Sequence, residues 1–440
     1  MKHVLNLLLI FIMFTSCCEI DSDKLDKRTN YENNTSSNNN ENKPNETPTD
    51  NPSDKPSDKP SDNPSDDPSD DPENPAEYIK TTSSTIELPS CPENTKFDMI
   101  AVSFTDGRTE DEIILGENQY CKKSSANIEV PYPTKVKPFK MSKYMVSYNT
   151  WYHVYQWAIK KGYKFIGKGS EGMYTNGNNA GTYYAFNEGG EPKVEEMPAG
   201  SITWRDAVVW CNALSEMKGL TPVYCSDSNF TTPLKDSTQS TTAFNDTNWD
   251  MTPGKIDNPY VNTKANGYRL PYTAEWEYAA RKKKNGTCIE GRNIPGDESG
   301  SFYEHTSTDT ANGIEFTQST VFGNYMWYRD NAAGECKKTA SGKDDTNAVM
   351  QAKLGHKPGN NRTHLSGGKL PSHLGFYDLT GNLSEWMFEY YVQHGSIIKV
   401  SAFREVRGTD FVTETNWYSS GEYGGYFPLH KLGFRICQNN

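Results

Sequence analysis

Three stretches of the chain repeat apolar residues at helical spacing. Trp204, Ala207, Val208, Cys211 and Leu214 fall on one face of a helix, with Thr203 as N-cap, Asp206 three residues on and Gly219 as the stop. A second helix starts near Thr150, carries Trp151, Val154, Tyr155 and Ala158 on its apolar face, and ends at Gly162. A third runs from about Thr273 to Lys282, with Trp276 and Ala280 on a shared face. Between them, residues 163–199, 226–266 and 285–372 read as polar loop, and strands of period two are short and few. The pattern predicts a loop-rich domain with few helices, few and short strands, and much irregular backbone.

The front of the chain follows a different pattern. Lys2 precedes an apolar run from Val4 to Phe14, too short to span a bilayer, which takes about 20 residues. Phe14-Thr15-Ser16-Cys17 resembles a relaxed bacterial lipobox, so residues 1–17 read as a lipoprotein signal with Cys17 as the lipidated residue; Cys18 is the alternative. Residues 18–95 read as a disordered stalk, rich in Pro, Ser and Asp. A P-S-D-x repeat of period four runs through Pro52, Pro56, Pro60, Pro64 and Pro68. Such a tract buries too little apolar surface to offset its ordering entropy, and its prolines favour extension. The globular domain is expected over 96–440.

Charge narrows the partners. The net charge is −12, of which −7 lies between Asp50 and Pro75. The domain itself is only mildly acidic, which argues against nucleic acid, since phosphate binding needs a basic face. The expected location is therefore exported and lipid-anchored, at the outer membrane or cell surface, with the membrane met through the N-terminal lipid.

Residues 374–386 read LGFYDLTGNLSEW. Asp378 and Glu385 flank a Gly381-Asn382 turn, and with the carbonyls of Gly381 and Leu383 they form a candidate oxygen set for a structural Ca²⁺. The plainer alternative is a tight turn between core aromatics. The segment resembles the G-L-Y-D-M-x-G-N-V-x-E-W signature of the formylglycine-generating enzyme (sulfatase-modifying factor) family. GSITWRDAVVWCNAL at 200–214, GYRLPYTAEWEYAAR at 267–281, and Arg407-Gly408 through Leu432-Gly433-Phe434-Arg435 match further motifs of that family in the same order. The segment from Phe97 to Trp157 fits its opening more loosely.

The resemblance implies an α+β, C-type-lectin-like fold of few helices, small antiparallel sheets and much irregular loop, and a second calcium site at Asn331, whose partner carboxylate is hidden by an insertion at 334–370. It also implies a bridge between Cys211 and a cysteine just after G-F-R. Here that residue is Cys437, one position late, and in a strand such a slip turns the side chain to the opposite face. The family's threonine after R-L-P is Tyr272 here, so either Thr273 takes over the helix cap or the first turn is uncapped.

Family oxidases convert a protein cysteine to formylglycine with copper held by two thiolates, because soft thiolates select Cu(I). Those cysteines belong in the stretch after R-G, yet no cysteine occurs between Cys336 and Cys437, so no copper is expected. The histidines 153, 305, 356, 364, 373, 394 and 430 show neither H-x₃-H nor H-E-x-x-H spacing. What replaces the catalytic stretch is DFVTETNWYSSGEYGGYFPLHK at 410–431, with six aromatics in 22 residues. Rigid aromatics among Ser, Gly and Asn are the composition of a paratope. A Tyr/Gly loop that merely covers the core is the competing reading.

The leading expectation is a lipid-anchored surface protein that binds an unknown protein or glycan through this segment. Trp417, Tyr418, Tyr423 and Tyr426 would be anchors, with Asn416, Ser419 and His430 as polar contacts. Architecture and composition are most similar to the treponemal variable lipoproteins diversified by retroelements. The alternatives are a formylglycine-generating-type oxidoreductase acting on protein cysteine, and an adhesin-like envelope protein that uses the fold only as scaffold.

Overall fold

The computed structural model describes residues 76–92, 95–115, 132–177, 182–239, 250–289, 293–300, 319–335, 345–390, 404–413 and 432–439, together with the backbone of 423–424. The elements that place the site are β1 (Ile79–Glu87), β2 (Lys96–Phe104), β3 (Phe139–Ser142), α1 (Tyr148–Lys160), α2 (Trp204–Met217), β4 (Tyr268–Arg269), α3 (Thr273–Arg281), α4 (Asn347–Leu354), β5 (Ser384–Tyr390), β6 (Arg404–Arg407), β7 (Tyr423–Gly424), β8 (Leu432–Phe434) and β9 (Cys437–Asn439). A five-stranded sheet runs in the order β1-β2-β3-β9-β4, and a four-stranded sheet in the order β7-β6-β5-β8. The remaining strands form two-stranded ribbons such as Asp111–Leu115 with Tyr132–Val136. The fold is α+β, with small, mostly antiparallel sheets.

The helices form where the apolar spacing places them. In α1 the Ser147 hydroxyl accepts from Thr150 N–H, and Trp151, Val154 and Ala158 are buried. In α2 the Thr203 hydroxyl accepts from Asp206 N–H at 2.9 Å. The Asp206 carboxylate reaches beyond the cap. It accepts from Ile166 N–H, Gly167 N–H and the Ser237 hydroxyl, so it ties two of the long polar loops to the helix start. Trp151 of α1 stacks on Trp210 of α2 at 5.8 Å and 9°, and Phe434 meets both edge-on. Aromatic pairs in these geometries add to the gain from area burial.

Four buried motif tryptophans also tie segments together through their indole N–H. Trp204 donates to Met387 O, Trp210 to Trp151 O, Trp276 to Glu385 Oε2 and Trp386 to Ile202 O. Each satisfies a polar atom that would otherwise be buried without a partner.

Three sequence expectations need correction. The fold begins before residue 96: β1 pairs with β2 along its whole length, from Ile79 opposite Phe104 to Glu87 opposite Lys96. The polar stretch 285–372 holds a helix, α4, capped by Thr346 and ended by Gly355 at φ 72°. Only Met350 of α4 is buried, which explains why the helix leaves little periodic signal. At α3 the N-cap is Tyr272, not Thr273. Glu275 accepts from Tyr272 N–H, and Glu389 accepts from both the Thr273 N–H and its hydroxyl. Two carboxylates on the first turn replace a capping hydroxyl and suit the positive end of the helix dipole. The leader and lipidation candidate Cys17, and the stalk as far as residue 75, lie outside the described residues.

Candidate binding face and the buried clamp beneath it

The strand order β6-β5-β8 frames the candidate face. β6 runs antiparallel to β5 and β8 parallel to it; the chain leaves this sheet after Arg407, pairs with β6 again at Tyr423–Gly424 as the edge strand β7, and returns beside β5 at Leu432. Both departure and return are held by buried contacts. Gly408 has φ 74°, and a Cβ there would meet Leu379 O at 2.6 Å, so only glycine fits. The Thr409 hydroxyl accepts from Gly381 N–H, and the Asp410 carboxylate accepts from Val412 N–H. Phe411 and Val412 are buried with Met145, Met173, Ala332 and Leu383.

This overturns part of the expected face. Asp410 to Val412 are anchor and core, so a ligand-contacting segment would begin only after Thr413. Of its predicted contacts, Tyr423 lies in β7, where its backbone is opposite Val406. Asn416, Trp417, Tyr418, Ser419, Tyr426 and His430 lie outside the described residues.

Beneath the anchor lies the 378–385 turn. Glu385 is fully buried, and Arg435 Nε donates to its two carboxylate oxygens at 2.9 and 2.8 Å, while Trp276 Nε1 donates to Oε2. Arg435 also donates to the carbonyls of Ser142, Lys143 and Tyr377. Burial pushes the Glu385 carboxyl up to about 7, against the pull of Arg435. Asp378 has φ 52°, one carboxylate oxygen accepting from Gly367 N–H at 2.6 Å and the other without a partner. Burial raises its carboxyl to about 6, with the Gly367 N–H and Arg435 opposing.

These partners do not fit the expected calcium shell. Glu385 is charge-matched by a guanidinium, which occupies the oxygens a cation would need. Asn331 Oδ1 accepts from Tyr328 N–H, and its Nδ2 donates to Met326 O, so the side chain closes a local turn. Among the described residues, no group of three or more His, Cys, Asp or Glu side chains is placed to hold a metal ion.

The residue that sequence reasoning passed over is Asn382. Its Oδ1 accepts from His364 N–H, its Nδ2 donates to His364 O, and its backbone N–H donates to Trp327 O. Its own carbonyl accepts from Phe411 N–H. One asparagine therefore joins the 345–366 segment, the Trp327 loop and the start of the candidate binding segment. The signal was present in the Gly-Asn pair, since asparagine tolerates the left-handed conformation it adopts here at φ 64°.

His364 extends the network. Its ring stacks on Trp327 at 3.5 Å and 5°, and Nε2 lies 2.9 Å from Ala332 O. Burial and the adjacent Arg362 push its pKa down to about 4, with Asp345 opposing them. Nδ1 lies 2.9 Å from Asp345 Oδ2 and 3.1 Å from Arg362 Nη1, and that guanidinium also pairs with the buried Asp345.

The cysteines follow the register slip. Cys211 and Cys437 are both buried, free thiols, which corrects the expected bridge. Cys211 belongs to the core around Trp151 and Trp210, and Cys437 to the separate core around Trp276 and Phe376. Ile436, one residue earlier, packs on the Cys211 side. Cys121 and Cys336 lie outside the described residues.

Residues 101–440 match the sulfatase-modifying factor enzyme 1-like domain. The chain belongs to that family. A relative named chaperone protein LppX, from Paenibacillus barcinonensis, is 29% identical over 243 residues, covering 55% of this chain and 68% of that protein. Among solved structures, Treponema denticola variable protein 1 aligns at TM-score 0.44 and 18% identity, over 81% of this chain and 99% of that one. CarF aligns at TM-score 0.40 and 22% identity, over 75% and 98%. PvdO from Pseudomonas aeruginosa aligns at 0.41 and 14%, over 81% and 100%. Within this sulfatase-modifying-factor-type domain, the G-N-L-S-E-W and G-F-R motifs meet as the Glu385–Arg435 clamp.

Proposed function

We propose that this chain is an exported lipoprotein that binds a protein or glycan through residues 414–431. The observation that carries this reading is the anchoring on both sides of the segment. Asp410 to Thr413 form a bonded turn over a buried Phe411, and Leu432 to Phe434 form a buried strand. A scaffold held so firmly at both ends can present a loop rich in Trp, Tyr, Ser and Gly at little loss of its own stability. The named relative is called a chaperone, a class of protein that binds other proteins, which supports the same reading. Oxidation of a protein cysteine by the family's copper chemistry is disfavoured because the segment between Arg407 and Leu432 contains no thiolate.

The test uses an array of glycans and purified extracellular proteins, probed with the full chain and with a Trp417→Ala, Tyr418→Ala, Tyr423→Ala variant. The expected result is an unchanged melting temperature and loss of most binding, since aromatic hot spots typically cost about 2 kcal/mol or more each. Unfolding of the variant would make these residues core and end the proposal. Anchoring is tested alongside: Cys17→Ala should abolish acylation and detergent partitioning, and acylation of that variant would move the anchor to Cys18.

A further inference from the structure

β1 is the outermost strand of the five-stranded sheet, and among the described residues no strand lies along its outer edge. Its residues Thr82 to Thr85 are exposed. The hydrogen bonds at its two ends fix which backbone groups face outward. Thr105 N–H donates to Tyr78 O at 2.9 Å and Leu88 N–H donates to Thr95 O at 3.2 Å, both in the register of the β1–β2 ladder. In an antiparallel pair such bonds fall on alternate residues, so Lys80, Thr82, Ser84 and Ile86 bond to β2. Ile79, Thr81, Ser83, Thr85 and Glu87 therefore turn their N–H and C=O groups outward. Two of these groups are already taken. Ile79 N–H donates to Lys284 O at 2.9 Å, and Glu87 O accepts from Lys218 Nζ at 2.7 Å.

What is left open is symmetric about Ser83. A second copy related by a two-fold axis beside Ser83 lays its β1 antiparallel to the first, with Ser83 opposite Ser83, Thr81 opposite Thr85 and Ile79 opposite Glu87. Every open donor then meets an open acceptor. Ser83 N–H meets Ser83 O, the groups of Thr81 and Thr85 meet each other, and Glu87 N–H meets Ile79 O. The two occupied groups, Ile79 N–H and Glu87 O, are the ones that would have met each other, so their outside partners leave nothing unmatched.

The side chains agree with this pairing. The only charged residues of β1 are Lys80 near one end and Glu87 at the other. Antiparallel self-pairing brings the basic end of one strand to the acidic end of the other and opposes no like charges, while threonine opposite threonine is a favourable cross-strand pair. Edge strands kept from pairing are commonly interrupted by a proline or a bulge, and β1 carries neither.

We infer that β1 is a self-pairing edge through which two copies of this chain form a two-fold dimer, joining their five-stranded sheets into one. The inference does not depend on the ligand-binding reading of residues 414–431. The contact is small and polar, so the dimer is weak and concentration-dependent.

The experiment is sedimentation velocity on the full chain from about 1 to about 300 µM, a span suited to a weak contact. Wild type should pass from monomer to dimer within it. Ser83→Pro removes only an outward N–H, at a position where an edge strand tolerates proline. It should keep its melting temperature and weaken dimerisation about tenfold or more. Two charge variants read the register without proline. Thr81→Lys with Thr85→Lys sets like charges opposite each other across the axis and should abolish the dimer. Thr81→Glu with Thr85→Lys sets opposite charges there and should restore it. A wild type that stays monomeric throughout, a dimer unmoved by Ser83→Pro, or two charge variants that behave alike would overturn the assignment.

Discussion

Arg435 donates from Nε to both carboxylate oxygens of Glu385, at 2.9 and 2.8 Å, in a fully buried pair 50 residues apart in the chain. The remaining guanidinium nitrogens reach the carbonyls of Ser142, Lys143 and Tyr377. One side chain thus joins the end of the chain, the turn before β5 and the start of the α1 region. Breaking such a pair leaves a buried charge uncompensated.

Arg435→Met is therefore expected to destabilise the domain by about 3–5 kcal/mol. Urea denaturation checks this. A loss below about 1 kcal/mol would mean that the clamp contributes little beyond its packing.

Asp378 yields a pH signature. Its folded carboxyl is raised to about 6 from an unfolded value of about 3.9. The folded state therefore holds the proton more tightly, and this site's contribution to stability falls as pH rises from about 4 to about 6, then levels off. Asp378→Asn cannot titrate. Its melting temperature relative to wild type should climb across that window and stay flat above it. Comparing mutant with wild type cancels the opposite trend of His364 and His356, both pushed down to about 4. A difference that does not vary with pH would refute the shift.

Asn382→Ala should be among the most damaging single changes that do not alter charge. It strips partners from the His364 N–H and carbonyl and forces alanine to φ 64°. The expected loss is about 3 kcal/mol, from two unsatisfied buried groups and a strained backbone. Thermal melts give the magnitude. Limited proteolysis should show the 345–366 and 404–413 segments becoming cleavable together, because this residue bonds to both, through His364 and Phe411. Cleavage in only one of them would break that link.

Thiol chemistry should report the register of the last strand. Cys211 and Cys437 are buried, and burial raises both thiols. Neither should react with a thiol reagent in the native state, and both should be alkylated without prior reduction once the protein is unfolded. Recovery of a Cys211–Cys437 disulfide by mass spectrometry would contradict the two-core placement.

The local elements were legible from sequence because local rules govern them. Helical spacing is sufficient to place α1, helical spacing with a hydroxyl cap to place α2, and the ordered motifs to indicate the fold. β1 was hidden because its residues, IKTTSSTIE, are mostly exposed and polar; its partner β2 defines it, not its own hydrophobicity. α4 was hidden for a similar reason, with one buried side chain.

The resemblance places the copper-holding cysteines of family oxidases in a stretch of this chain that contains no cysteine. The sequence could not establish what each carboxylate faces. Asp378 and Glu385, seven residues apart, look like a cation site until Arg435 arrives from the far end of the chain and neutralises one of them. Asn382 reads as a turn residue until His364 and Phe411 converge on it. Spacing along a strand or helix is set by backbone geometry, but the partner of a buried charge is set by which distant segments pack together, and tertiary structure alone decides that.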